Sequence, residues 1–140
     1  IEVLPEFGEH DPGPQCDGLP YAEFTKRFGD PDWENDPYGV TFPGGETIAE
    51  FQIRIGTAIR ALVDRVGAGT AIIFCHGGVV DTALRQALRT SGTGIFEIHT
   101  KNTSITEFVL VRPGRWRLAR YNDAAHTAEL PVSTNRPEDF

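Results

Sequence analysis

Between residues 48 and 66 the apolar positions recur every three or four residues, which is the spacing of an amphipathic helix. The apolar stripe consists of Ile48, Phe51, Ile55, Ile59, Leu62 and Val66. Thr47 and Glu50 have the spacing of a capping box at the start of this helix, and Gly67 is placed to end it. The pattern therefore predicts one long helix bounded by Thr47 and Gly67.

A nearly all-apolar run, residues 70–75, follows that helix. Such a run predicts a strand covered on both faces, at the centre of a parallel sheet. His76-Gly77-Gly78 comes next, and apolar residues then repeat at helical spacing from Val79 to Leu88. The predicted order is strand, glycine turn and helix.

The regions on either side of this centre are less regular. Residues 7–45 are rich in Gly, Pro and Asp, which predicts a long irregular segment, interpreted as a lid or specificity loop, with a short helix at 21–28. Residues 104–111 and 116–121 favour β-structure around the turn Pro113-Gly114, which predicts an antiparallel hairpin at a sheet edge.

Composition limits the classes to which the chain can belong. Its 140 residues fit one domain, and the tail 127–140 is expected to be flexible. A formal net charge of -7 argues against binding to nucleic acid. Cys16 and Cys75 lie in different surroundings, so we expect no disulfide and a cytoplasmic location. No apolar run is long enough to span a membrane.

The chain contains no methionine and opens at Ile1. Bulky isoleucine is a poor residue to follow a removed initiator methionine. We therefore expect that an upstream segment has been lost.

His76 is the strongest chemical signal, because it lies where a predicted buried strand meets a helix. Ligands of open α/β sheets bind at that end of the strands, and the free N–H groups of a helix start attract phosphate. A histidine there can donate a hydrogen bond to a phosphoryl oxygen. A histidine bonded only to a carbonyl, with glycines that merely form the turn, is an equally good interpretation of this motif alone.

The chain as a whole resembles the histidine phosphatase, or phosphoglycerate-mutase-like, superfamily. The resemblance extends from residue 3 to about 126, and it rests on five motifs that occur in the family's order. They are Leu4-Pro5-Glu6, Pro43-Gly44-Gly45-Glu46 with Phe51 and Arg54, Cys75-His76-Gly77-Gly78, Asn102-Thr103-Ser104-Ile105 and Asn122-Asp123-Ala124-Ala125-His126.

The resemblance implies roles for several residues. His76 is expected to contact the phosphoryl group and stabilise its transfer, and Glu6 to be the general acid that protonates the leaving oxygen. Gly77 and Asn102 are the candidates for phosphate or substrate binding, although Asn102 also suits a simple turn. Arg54 lies four residues after Glu50, which predicts an ion pair within the helix.

Four departures from the family pattern matter. The Arg-His-Gly segment, whose histidine becomes phosphorylated, is absent from these 140 residues, as is the downstream arginine that grips phosphate. Cys75 replaces the usual serine before His76, and the sequence after Glu6 differs from the expected Gly-x-Trp-x-Gly.

The resemblance implies an α/β, three-layer sandwich with a mainly parallel sheet and an antiparallel edge strand. The chain would be a single, incomplete domain, 1–140, that lacks its N-terminal segment. The full-length protein would hydrolyse a small phosphomonoester through a phosphohistidine, without metal or organic cofactor, and the 140 residues alone would be inactive. A homodimer is an open option for its assembly.

Three alternatives remain open at this point. One is a phosphoglycerate-type mutase, which returns the phosphoryl group to its substrate. Another is a non-catalytic phosphate-binding or regulatory module on the same scaffold. A Rossmann-like cofactor binder ranks last, because the glycine turn lacks Gly-x-Gly-x-x-Gly.

Overall fold

The computed structural model describes residues 1–32, 34–39, 42–92 and 98–129. The chain separates into two compact units, residues 1–99 and residues 100–140. The predicted tail therefore lies mostly outside the described residues. The prediction of a single domain stays a prediction.

The first unit is helical in its described part. Its helices are α1, Tyr21–Phe28; α2, Ile48–Val66; and α3, Gly77–Leu88, and they are preceded by a 3₁₀ turn at Pro5–Phe7. The predictions of α1 and α2 are confirmed, and α3 includes the two glycines that were expected to form a separate turn. Outside α1 and the masked positions, residues 8–45 form turns and irregular backbone, as predicted.

Local interactions fix the start of α2. The hydroxyl of Thr47 accepts a hydrogen bond from the Glu50 N–H at 3.1 Å, and the Glu50 carboxylate accepts one from the Thr47 N–H at 2.8 Å. This reciprocal pair satisfies two N–H groups that have no partner within the helix. The predicted capping box is therefore confirmed. Gly67 ends the helix with a positive φ of 59°.

The core of the first unit lies on the predicted apolar face of α2. Its buried members are Phe7, Phe51, Ile55, Ala58 and Val79. Ile55 has no exposed surface. Full burial of one such side chain stabilises the fold by about 1.5–3 kcal/mol. Because Phe7 and Val79 belong to this core, the segment around Glu6 and the start of α3 are both packed against α2.

The predicted strand at residues 70–75 is not seen. These residues belong to no helix or strand, and Ile72 and Phe74 are 81% and 91% exposed. A strand exists only by pairing with a neighbour, and the sheet that the described ranges contain is the two-stranded one of the second unit. The mainly parallel sheet is thus not confirmed.

The second unit is an antiparallel hairpin of β1, Ile105–Arg112, and β2, Arg115–Asp123, as predicted. Its register shifts between Ile105 and Glu107, opposite Asn122, which has a left-handed φ of 51°. The side-chain oxygen of Asn122 accepts a hydrogen bond from the Lys101 N–H at 2.7 Å. The asparagine of the last motif thus fixes the entry into the hairpin. A 3₁₀ turn, Ala125–Thr127, follows.

A helix able to cross a membrane is not found among the residues described above, because each helix is too short or too polar.

Candidate active site

His76 is the residue that caps the start of α3. Its backbone is extended, with φ -115° and ψ 173°, and its carbonyl accepts the first helical hydrogen bond, from the Val80 N–H at 3.3 Å. The residue is exposed, so the imidazole is not sealed in the core. Gly77 follows as the first helical residue, and no described residue accepts a hydrogen bond from its N–H. The prediction that His76 stands just before a helix is therefore confirmed, although Gly77 belongs to that helix and not to a separate turn. The chemical roles of both residues stay predictions.

Glu9 accepts a hydrogen bond from the next N–H of the same helix, that of Gly78. Its carboxylate accepts hydrogen bonds from the N–H of Gly78 and from the N–H of His10, each at 2.8 Å. The N-terminal end of a helix carries a partial positive charge and attracts such an anion. The structure thus shows that the start of α3 accommodates a negative group, and here that group is Glu9.

Glu6 belongs to the segment that carries Glu9. We call residues 4–11 the Glu6 loop. The loop begins with a 3₁₀ turn, in which the N–H of Phe7 donates to the Leu4 carbonyl at 3.0 Å, and it is anchored in the core by the buried Phe7 ring. Glu6 itself is exposed. Its role as the general acid stays a prediction.

Arg54 binds this loop instead of its expected partner. The predicted ion pair between Arg54 and Glu50 is wrong, because the Glu50 carboxylate is engaged in the capping box of α2. The guanidinium of Arg54 instead forms a short ion pair with Glu46. Its remaining N–H groups donate to the carbonyls of Glu6, Gly8 and Glu9, at 2.9, 3.1 and 3.2 Å.

Glu46 is held in its ionised form. Partial desolvation alone would raise the pKa of its carboxyl. Hydrogen bonds from Arg54 and from the Asp11 N–H, with the positive charges of Arg54 and His10, outweigh desolvation and lower the pKa below its ordinary value of 4.5. The same ion pair raises the pKa of Arg54. Both partners are charged at neutral pH.

His10, for which the sequence gives no clear signal, has a structural place. Its Nε2 lies 2.8 Å from the backbone carbonyl of Glu46, and because a carbonyl only accepts, the ring nitrogen carries the proton. The ring also packs edge-on against Phe42 and Phe51, with centroids 5.4 and 5.7 Å away. His10 thus fastens the end of the Glu6 loop to α2 and the segment before it.

A cavity of about 320 Å³ lies beside the loop, lined by Pro5, Gly8, Glu9, Asp11, Glu46 and Arg54. Three of these side chains are carboxylates and one is a guanidinium, so the cavity is a poor place for a phosphate group. The cavity lies among the residues that pack around the Glu6 loop, and neither Glu6 nor His76 is part of its lining. In the described ranges, no group of three or more His, Cys, Asp or Glu side chains is placed to hold a metal ion.

Cys75 precedes His76 and stays a thiol at neutral pH. Although the residue as a whole is exposed, desolvation of its sulfur raises its pKa above the ordinary value of 9.0, and the negative charge of Glu9 raises the pKa further. A hydrogen bond from the His76 backbone acts in the opposite direction and is outweighed. Cys16 is buried, and both cysteines are free, as expected.

Asn102 lies in the second unit, in the turn before β1. The turn is closed by the Ser104 N–H, which donates to the Lys101 carbonyl at 3.1 Å, and Thr103 has a left-handed φ of 61°. Asn102 is exposed. Its place as a turn residue is established, and its predicted binding role stays a prediction. Of the four candidates, Glu6, His76 and Gly77 belong to the first unit.

Comparison with known families decides the assignment. A model of the histidine phosphatase superfamily (branch 1) matches residues 1–124. The chain belongs to the histidine phosphatase superfamily. Comparisons with curated proteins and with solved structures each give no match. Members of this superfamily include phosphatases and mutases, so phosphoryl-transfer chemistry of that general type is supported.

Sequence reasoning missed two features of this histidine phosphatase chain. One is the contact of Glu9 with Gly78, which joins positions 69 residues apart and leaves no periodic signal. The other is the binding of Arg54 to the Glu6 loop. The sequence did single out Glu46, as part of the Pro-Gly-Gly-Glu motif. The predicted capping box already engages the Glu50 carboxylate, and this could have argued against an ion pair between Glu50 and Arg54.

Proposed function

We propose that the full-length protein hydrolyses phosphomonoesters through a phosphohistidine, and that the nucleophilic histidine lies outside these 140 residues. The observation that carries this proposal is an exposed His76 at the start of α3, in a chain whose residues 1–124 match the superfamily. The 140 residues contain no Arg-His-Gly sequence, so this portion alone would be inactive.

His76 would act on the charge of the transferred group. An imidazole in this position can donate a hydrogen bond to a phosphoryl oxygen, or neutralise its developing charge when protonated. The N–H of Gly77 would supply a second donor. Its support is that no described residue accepts from this N–H, whereas Glu9 occupies the N–H of Gly78. Electrostatic stabilisation of this kind removes the need for a metal ion or an organic cofactor.

Glu6 would be the general acid. As the phosphorus–oxygen bond to the leaving group breaks, the leaving oxygen keeps the electron pair and takes the Glu6 proton, while phosphorus bonds to the nucleophilic nitrogen. In favour of this role, Glu6 is exposed on a loop whose backbone is held firmly. The loop also reaches α3 through the Glu9–Gly78 contact, which brings it to the helix that begins after His76.

The complete fold would be the three-layer sandwich with a mainly parallel sheet. Residues 70–75 would then be a central strand, because the side chains of Ile72 and Phe74 are apolar and largely exposed, and helices on the two faces of the sheet would cover them. The β1–β2 hairpin would form an antiparallel edge. Asn102 would contribute to substrate binding, and cytoplasmic location and a homodimer remain predictions.

The direct test is hydrolysis of p-nitrophenyl phosphate by the full-length protein. We expect His76→Ala to lower kcat by about a hundredfold or more, the usual cost of removing a donor to a charged transition state. His126→Ala is the matched control, since it also removes an exposed imidazole, and we expect its rate to equal the wild-type rate. An unchanged rate in His76→Ala would refute the role of His76.

An alkyl phosphate, whose alcohol must be protonated to leave, separates acid catalysis from binding. Glu6→Gln should lower kcat on this substrate, while inorganic phosphate should inhibit the variant with its wild-type inhibition constant. Glu23→Gln, an exposed position on α1, is the matched control. Weaker phosphate inhibition with an unchanged kcat would contradict the assignment of Glu6. Return of the phosphoryl group to a second substrate alcohol, rather than to water, would favour the mutase.

A further inference from the structure

Arg54 gives all of its hydrogen bonds to the Glu6 loop and to the carboxylate beside it. A guanidinium offers five N–H donors in a rigid plane. Two of them bind the Glu46 carboxylate, and three bind the carbonyls of Glu6, Gly8 and Glu9. Arg54 therefore has no donor left for a substrate, and its charge is directed at the backbone that carries Glu6.

These bonds fix the loop where regular structure ends. The 3₁₀ turn accounts for the carbonyls of Leu4 and Pro5, which accept from Phe7 and Gly8. Of the next four carbonyls along the chain, Arg54 binds those of Glu6, Gly8 and Glu9. Three bonds from one rigid group set the backbone direction after Glu6, and the compact ammonium of a lysine could not reproduce that fork.

Arg54 is itself held in place. Glu46 binds the Nε and a terminal nitrogen of Arg54, the guanidinium carbon lies 5.1 Å from the centre of the Phe51 ring, and only 27% of the Arg54 side chain is exposed. Glu46 also accepts from the Asp11 N–H at 3.0 Å. Later in the loop, the Glu9 carboxylate accepts a hydrogen bond from the Gly78 N–H of α3. The loop is thus fixed to α2 by Arg54 and Glu46, and to α3 by Glu9.

We propose that Arg54 is a positioning residue, which holds the Glu6 loop so that the Glu6 carboxyl can deliver its proton to the leaving oxygen. The proposal rests on the function proposed above, in which Glu6 is the general acid. Arg54 would touch neither the substrate nor the reacting atoms. Its effect would pass through the loop backbone to Glu6.

The test compares leaving groups in the full-length protein. A poor leaving group, such as the alcohol of an alkyl phosphate, needs a proton from the acid, whereas p-nitrophenolate leaves with little help. We expect Arg54→Lys to lower kcat on an alkyl phosphate at least on the order of tenfold more than on p-nitrophenyl phosphate. Loss of folded protein lowers both rates equally, so the ratio of the two rates reports positioning alone.

Two comparisons make the result decisive. In a Glu6→Gln background, Arg54→Lys should leave the ratio unchanged, because the acid is already lost. Arg60→Gln, on the same helix and exposed, should leave the wild-type ratio unchanged. Should Arg54→Lys not fold, Glu46→Gln, which keeps Arg54 but removes its carboxylate partner, should shift the ratio in the same direction.

The outcomes distinguish this proposal from the one on which it rests. A wild-type protein that hydrolyses no phosphomonoester refutes the proposed function. A protein in which Glu6→Gln shifts the ratio but the folded Arg54 or Glu46 variant does not overturns only the role of Arg54.

Discussion

The carboxylate of Glu9 accepts a hydrogen bond from the N–H of Gly78 at 2.8 Å, across 69 residues of sequence. This contact joins the loop that carries Glu6 to the helix that begins after His76. It also places a fixed negative charge at the positive end of α3, next to Cys75. The candidate acid and the candidate phosphate contact therefore belong to one connected structure.

The negative charge of Glu9 should add to the effect of desolvation and lower the reactivity of the Cys75 thiol. Glu9→Gln keeps an oxygen that can accept from Gly78 but removes the negative charge that helps to raise the Cys75 pKa. A lower pKa gives more thiolate, which is the reactive form, so we expect faster alkylation of Cys75 by iodoacetamide at mildly alkaline pH. Alkylation can be followed by peptide mass spectrometry, with the buried Cys16 as the internal control. Equal or slower labelling of Cys75 would show that the charge of Glu9 does not raise the pKa of the thiol.

The ion pair of Glu46 with Arg54 should make stability depend on acid pH. Because folding lowers the pKa of Glu46 below 4.5, its contribution is complete above that value and is lost as pH falls through the folded-state pKa. We expect Glu46→Gln to be less stable at neutral pH by about 1–3 kcal/mol, since Arg54 loses its partner. The deficit should shrink as the pH is lowered to about 3.

Urea unfolding at a series of pH values measures this difference. Glu23→Gln is the control, because Glu23 is exposed on α1 and forms no ion pair with any residue in the described ranges. A deficit of Glu46→Gln that stays constant from neutral to acid pH would show that the lost stability does not come from the ionised carboxylate.

The sequence was most informative where structure is local. The capping box of Thr47 and Glu50 spans three residues, and the apolar stripe of α2 repeats within each turn, so both could be predicted without knowledge of the rest of the fold. The hairpin is also local, because its strands are joined by the turn at Pro113-Gly114. His76 could be placed at a helix start for the same reason.

Contacts between distant segments could not be predicted in this way. Residues 70–75 have the apolar character of a buried strand, but a strand requires a partner, which no local pattern supplies. The four-residue spacing predicted an ion pair between Arg54 and Glu50, but the Glu50 carboxylate is engaged in the cap of α2. Arg54 instead binds carbonyls of the Glu6 loop, which lie 45 to 48 residues away in sequence.

Two glycines offer a matched test of how the segment after the Glu6 loop packs against the Pro-Gly-Gly-Glu motif. Gly13 and Gly18 both have positive φ values, 81° and 69°. A Cβ on Gly13 would collide with the backbone of Gly44 and Gly45, whereas one on Gly18 would meet no atom within 4 Å. Gly18→Ala should cost only backbone strain, about 1–3 kcal/mol.

Gly13→Ala should cost the same strain and, in addition, push its segment away from the backbone of Gly44 and Gly45. We therefore expect a greater loss of unfolding free energy for Gly13→Ala than for Gly18→Ala in urea titrations. Equal losses would mean that the close approach of these two segments does not stabilise the fold.

In the function proposed above, the full-length protein passes a phosphoryl group through a histidine with the help of His76 and Glu6. The most direct measurement is rapid mixing with a radiolabelled phosphomonoester, followed by an alkaline quench and counting of the label bound to protein. We expect label that survives alkali and is released by acid, as phosphohistidine is, and that forms more slowly in His76→Ala and Glu6→Gln. Turnover of the substrate without any such label would contradict the account.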